Sequence, residues 1–149
     1  MRGHFLAFVL AVVAVGCSQP RSREFFQMRE NAEYGDTYSF SLDLCDSTVT
    51  YSMDFFTKLE RAAFERFSSE DIVLDLRWFS PSDSIITDTV RVLSSLPAGG
   101  DYYTRDLITP YEGVRGLTPG EWRLKAKVVN SPEAVRGVGI ILRREDGTR

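Results

Sequence analysis

The chain has 149 residues, of which 26% are charged and 12% aromatic, and a formal net charge of −3 at pH 7. That length suffices for one domain with a real core, and the scattered Lys and Arg leave no electrostatic footprint for nucleic acid. Its only histidine is His4 and its only cysteines are Cys17 and Cys45. Once His4 is lost with the leader described next, Ser-His-Asp, Cys-His and histidine-ligated metal arrangements are excluded.

Met1-Arg2-Gly3-His4 sets a positive charge ahead of an unbroken apolar run over residues 5–15, and Ala14-Val15-Gly16 leads into Cys17. A charged start, a short apolar middle and a small-residue cleavage site form a secretory signal. The run falls short of the roughly 20 helical residues needed to cross about 30 Å of hydrocarbon. Its ending resembles a bacterial lipobox, although Ala14 stands where Leu is more usual. Cys17 is therefore the expected lipid-attachment residue, with palmitate among its acyl chains; the alternative is an ordinary signal with an incidental cysteine. Multiple acyl chains, at roughly 0.8 kcal/mol per buried CH₂, hold a protein on a membrane essentially permanently. The expected division is a signal peptide over residues 1–16, a tether over 17–23 and one domain over 24–149. Removing 16 of 149 residues leaves 133, and the loss of Arg2 moves the net charge to −4. With Cys17 acylated, Cys45 has no intrachain partner. It reads as a buried or turn-end small hydrophobe, or else as half of an intermolecular disulfide.

After the polar tether, residues 24–28 read as an edge strand. Tyr38, Phe40, Leu42 and Leu44 alternate with polar residues, as do Val49, Tyr51, Met53 and Phe55. Two period-two runs joined by Cys45-Asp46-Ser47 predict an antiparallel hairpin. Residues 57–67 break the pattern: Thr57-Lys58-Leu59-Glu60 has capping-box spacing, and Leu59, Ala63, Phe64 and Phe67 fit one helical face. The expectation there is a short helix or a charged loop. Ile72, Leu74, Leu76 and Trp78 predict a central strand. Residues 86–93, rich in β-branched side chains, follow a turn at Pro81-Ser82-Asp83-Ser84. Pro97 and Gly99-Gly100 predict a flexible loop over residues 94–101, and residues 102–115 show no firm period. Trp122, Leu124, Ala126 and Val128 alternate against Arg123, Lys125 and Lys127, a strand with a basic outer face. Val138, Ile140 and Leu142 make the last strand. The sum is an all-β chain: an antiparallel β-sandwich of about six to eight strands with at most one short helix, folding as a monomer.

Without histidine, the acid–base candidates are the carboxylate pairs Asp43 and Asp46, Asp71 and Asp75, and Asp83 and Asp88. Sequence neighbours on strands and turns do not converge on a cleft as paired-carboxylate chemistry requires, so the expectation is no enzyme, no catalytic residue and no cofactor. A calcium ion at a turn such as Asp83 is the minor alternative. Trp78, Trp122, Tyr102, Tyr103 and Tyr111 invite a sugar-stacking reading. The two tryptophans share register with their strands' apolar faces and are expected in the core. Tyr102, Tyr103 and Tyr111, beyond the Gly-Gly pair, are the surface candidates.

Three segments together resemble the gliding-motility-associated lipoproteins of Bacteroidetes called GldH. They are Asp36-Thr37-Tyr38-Ser39-Phe40-Ser41-Leu42, then Asp88-Thr89-Val90-Arg91-Val92-Leu93, then Gly120-Glu121-Trp122-Arg123-Leu124 with Arg136-Gly137-Val138-Gly139-Ile140. The resemblance implies a non-enzymatic envelope component, a scaffold or interaction subunit of gliding or type IX secretion machinery. Its expected partners are a membrane, through the lipid, and other envelope proteins. The stretch after Cys17 contains no carboxylate before Glu24, which by the same resemblance implies the periplasmic face of the outer membrane. The alternative is a lipid-anchored carbohydrate-binding sandwich for glycan capture.

Overall fold

The computed structural model describes residues 20–34, 36–95 and 97–145; the leader, Cys17 and the last four residues lie outside them. Among the described residues, nine strands form two antiparallel sheets. In chain order they are β1 (Ser22–Met28), β2 (Thr37–Asp43), β3 (Thr50–Glu60), β4 (Ile72–Phe79), β5 (Ile85–Val92), β6 (Pro97–Gly100), β7 (Thr104–Tyr111), β8 (Glu121–Val128) and β9 (Val135–Glu145). One sheet has the order β1-β9-β3-β7-β6 and the other β2-β8-β4-β5. Short 3-10 turns at Arg29–Asn31, Glu112–Gly116 and Pro132–Ala134 are the helical elements among the described residues.

The period-two runs deliver their apolar sides inward. Tyr38, Phe40, Leu42, Leu74, Leu76, Trp78, Trp122, Leu124 and Ala126 come from the four-stranded sheet. They meet Met53, Phe55, Leu59, Leu107, Val138, Ile140 and Leu142 from the five-stranded sheet, all buried. Aromatic packing marks the centre of this core. Trp78 lies parallel to Tyr111 at 6.0 Å and edge-on to Trp122 at 6.3 Å, while Tyr111 meets Phe55 edge-on at 5.3 Å. Both tryptophans belong to the core as expected.

Several expectations are corrected. The runs over 38–44 and 49–55 are not a hairpin, because β2 pairs with β8 while β3 pairs with β7 and β9. Asp43 accepts the Cys45 amide and Asp46 the Thr48 amide, each at 3.0 Å, so two consecutive Asx turns carry the chain across the core. Residues 57–60 are not helical: β3 continues through them, with Thr57 and Leu59 buried and Lys58 facing out. The charged-loop alternative holds from residue 61 to 71. The loop over 94–101 contains the four-residue edge strand β6, and the aperiodic stretch contains β7. Finally, β1 starts at Ser22, so the last two tether residues are strand.

Candidate functional site

The carboxylate pairs are engaged in holding turns and the core. Asp43 and Asp46 form the turns just described, and hydrogen bonds from the Cys45 and Thr48 side chains, then from the amides of the same residues, hold both carboxyls below their ordinary range. Asp71 takes the Ser94 amide at 2.9 Å, and Asp75 takes the Thr89 hydroxyl at 3.2 Å. Asp88 accepts the Tyr111 hydroxyl at 3.0 Å, and that same oxygen of Tyr111 receives the indole N–H of Trp78 at 3.2 Å. Burial, then the hydrogen bond to Asp88, pushes the Tyr111 phenol up to about 12. Asp83 sits at a left-handed turn position with φ 63°. Among the described residues, no three His, Cys, Asp or Glu side chains are grouped closely enough to hold a metal ion. Cys45 is at a turn end and exposed, not buried.

The surface aromatics are not brought together. Tyr111 is in the core, which removes it from the sugar-stacking candidates. Tyr102 and Tyr103 are exposed and meet edge-on at 4.8 Å. Arg61 lies over the Tyr102 ring at 4.3 Å and over Phe67 at 4.9 Å, and its Nε donates to the Tyr102 carbonyl at 2.6 Å. This pair therefore clamps the 61–71 loop onto the β6–β7 turn, and one face of Tyr102 is occupied by a guanidinium.

Two broad faces remain. The outer face of the four-stranded sheet is polar: Lys125 pairs with Glu33 at 2.8 Å, and Arg123 lies over Phe79 at 5.3 Å. The outer face of the five-stranded sheet carries an apolar ridge. The register sets Phe26 of β1 beside Gly139 of β9, Gly139 beside Phe56 of β3, and Phe56 beside Ile108 of β7, with Ile141 two residues along β9. The Phe26 and Phe56 rings stack at 5.5 Å with planes 11° apart. They lie across β9 because it has no side chain there: a Cβ on Gly137 would collide with Phe26, and one on Gly139 with Phe56. Phe26 is 42% exposed and Ile108 37%. Lys58 and Asp106, 3.5 Å apart, and Arg143 and Asp54, 2.7 Å apart, rim the ridge. Its shallow depression of about 420 Å³ also touches Glu24.

Sequence reasoning missed this ridge, although a signal for it exists. Phe25-Phe26 and Phe55-Phe56 are aromatic doublets inside alternating strands, so one ring of each must leave the core. Phe55 is fully buried and Phe25 packs against the core, which leaves Phe26 and Phe56 outside.

No protein-family model matches the chain, and no curated protein matches it. Among solved structures, a chain from the structure of infectious bursal disease virus Gx strain aligns with 88% of this chain and 39% of its own length. At 16% identity and a TM-score of 0.26 that likeness carries no argument about fold or function.

Proposed function

We propose that the protein is a non-catalytic interaction subunit of a bacterial cell envelope, lipid-anchored through Cys17, with the outer face of its five-stranded sheet as the docking surface. The observation that carries this reading is the Phe26–Phe56–Ile108 ridge. A sheet facing only water places polar residues outward, and a contiguous exposed apolar patch rimmed by charges marks a contact with another protein. The resemblance to GldH supports the envelope setting and the gliding or type IX secretion context. Two of its segments fall on the neighbouring strands β2 and β8, where Phe40 pairs with Leu124 and Leu42 with Trp122. Glycan capture is the weaker reading, since Tyr111 is buried and Arg61 covers one face of Tyr102.

A photo-crosslinking residue at Ile108 of the full-length chain, in its native envelope, tests this. Discrete adducts with an envelope protein are expected at 108, diminished by Phe56→Ala, and none from a control at exposed Ser41 on the opposite face. Equal labelling at both positions, or none at 108, overturns the reading. Binding of soluble glycan lost on Tyr102→Ala would install the alternative.

A further inference from the structure

A β-sandwich has four strand edges, and an unprotected edge is a template for another strand. Three of the four edges here are obstructed. On β2, the Thr37 backbone exchanges hydrogen bonds with Glu33 at 2.8 and 3.0 Å, and the Ser39 amide donates to the Gln27 side chain at 2.8 Å. The strand β6 is four residues long and contains Pro97, Gly99 and Gly100. On β1, Arg23 and Glu24 charge the first half, and a 3-10 turn follows Met28.

The fourth edge is β5. It is eight residues long, pairs only with β4 among the described residues, and has no proline or glycine. Its residues 85–89 are exposed on both sides of the strand, with Ile85 58% and Ile86 44% exposed, and Leu93 follows at 38%. The direction of its backbone groups can be read from its neighbours. Val73 of β4 turns its carbonyl to Val129 and its amide to Asn130, away from β5, so the even-numbered residues of β4 bond β5. Leu74 stands opposite Val90, hence Ile85, Thr87, Thr89 and Arg91 point their N–H and C=O groups outward. Of these, the Thr89 amide is held by the Asp88 carboxylate at 2.8 Å.

We infer that β5 is the docking edge for a second copy of this chain, with the two β5 strands antiparallel about a twofold axis at Thr89. The occupant is chosen by self-complementarity. Centred on Thr89, the pairing sets Thr89 against its own copy, Thr87 against Arg91, Asp88 against Val90, Ile86 against Val92 and Ile85 against Leu93. Exposed Ile85 meets exposed Leu93, Ile86 lies beside buried Val92, and no like charges meet. Centred on Asp88 or on Arg91, the same strand would oppose two carboxylates or two guanidiniums, which cross-strand pairs disfavour. The outward residues, all odd-numbered, face odd-numbered residues. The Thr89 pair and the two Thr87–Arg91 pairs therefore exchange both backbone hydrogen bonds, while Leu93, past the end of β5 and donating its amide to Thr109 at 3.3 Å, meets Ile85 through its side chain alone. The Thr89 amide exchanges its Asp88 carboxylate for the partner carbonyl, while Asp88 keeps the Tyr111 hydroxyl. Two four-stranded sheets become one of eight. This inference departs from the monomer expected from sequence.

The test uses the full-length protein in its own envelope, with exposed Cys45 changed to Ser. A short bifunctional thiol reagent should crosslink the Thr89→Cys chain into dimers, because the two Cα atoms stand about 5.5 Å apart. The Thr87→Cys chain should not crosslink, its two copies being about 14 Å apart at roughly 3.4 Å per residue. Added to Thr89→Cys, Thr87→Glu should raise the dimer yield severalfold by facing Arg91 of the other copy, and Arg91→Glu should reverse that gain. Dimers absent from Thr89→Cys chains with an unchanged circular dichroism spectrum would overturn the inference. So would equal yields at 87 and 89, or adducts of Thr89→Cys with a different protein. Adducts at Ile108 do not depend on any of these outcomes, so the two surfaces fail separately.

Discussion

Three side chains in the core set measurable expectations. Thr57 is fully buried between Leu107 and Val138, and its hydroxyl has no hydrogen-bond partner among the described residues. An unpaired buried hydroxyl costs about 1–3 kcal/mol, so Thr57→Val should stabilise the fold by about 1 kcal/mol in urea titration; a loss of that size would mean the hydroxyl is satisfied. Trp122 is buried and donates to the Thr118 carbonyl at 2.8 Å, and Trp122→Ala should cost about 3–5 kcal/mol. Tyr111 titrates higher folded than unfolded. Its contribution is therefore fully present below about pH 10, the ordinary tyrosine value, and is lost as pH rises toward 12. Melting temperature should fall across that window in the native chain, and less steeply in Tyr111→Phe. Period two told which residues enter the core: it found Trp78 and Trp122 and lost Tyr111. The reason is local: between buried Leu107 and Tyr111, β7 turns the polar Thr109 inward and the apolar Ile108 outward, so the strand alternates in space while the apolar pattern in sequence is lost.

At the level of elements, which face each strand buries was legible, and which strands are neighbours was not. Alternation says that Phe40 and Leu42 face a core; it does not say whether the next strand lies beside them or across from them. A polar turn serves a hairpin and a sheet-to-sheet crossing equally well, hence the misplaced hairpin over 38–55. Only β4–β5 and β6–β7 are paired neighbours in sequence; the rest of the ladder is non-local. The same limit hid the apolar ridge, which exists because β1 and β3 flank β9 at Gly137 and Gly139. Those glycines carry an element-scale prediction. Gly139→Ala would drive Phe56 off β9 and press on the Phe25 carbonyl at 2.7 Å, so it should cost about 1–3 kcal/mol, typical of overpacking. It should also reduce adduct formation at Ile108. Unchanged stability would mean that the Phe56 ring is not held over the strand. On the opposite sheet, Asn130 takes the Val73 amide at 2.8 Å and donates to the Asp71 carbonyl at 2.7 Å. Asn130→Ala should therefore loosen the open end of β4, measured as faster amide exchange at Val73, with Leu76 little changed.

For the whole molecule, the tether is the controlling dimension. With Cys17 lipidated and β1 starting at Ser22, five peptide steps of roughly 3.5 Å keep the start of that strand within about 18 Å of the lipid attachment. The domain would then hang from the start of β1, and the proposed contacts of the ridge and of β5 would have to form within that reach. Cys17→Ala should release it into the soluble fraction; a variant that still partitions with membranes would remove the lipid from this account. Which leaflet it occupies is a separate question with its own test. Ser18-Gln19-Pro20-Arg21-Ser22-Arg23 offers two arginines and no carboxylate, which by resemblance favours the periplasmic face of the outer membrane. The loop over 61–71 supplies a reporter, because exposed Arg66 lies in irregular backbone of the kind proteases cut first. Trypsin added to intact cells should leave the protein whole, and trypsin added after the outer membrane is permeabilised should cut it in that loop. Cutting in intact cells would place the domain on the outer surface, where a subunit joining periplasmic machinery cannot act and a glycan-capturing protein can.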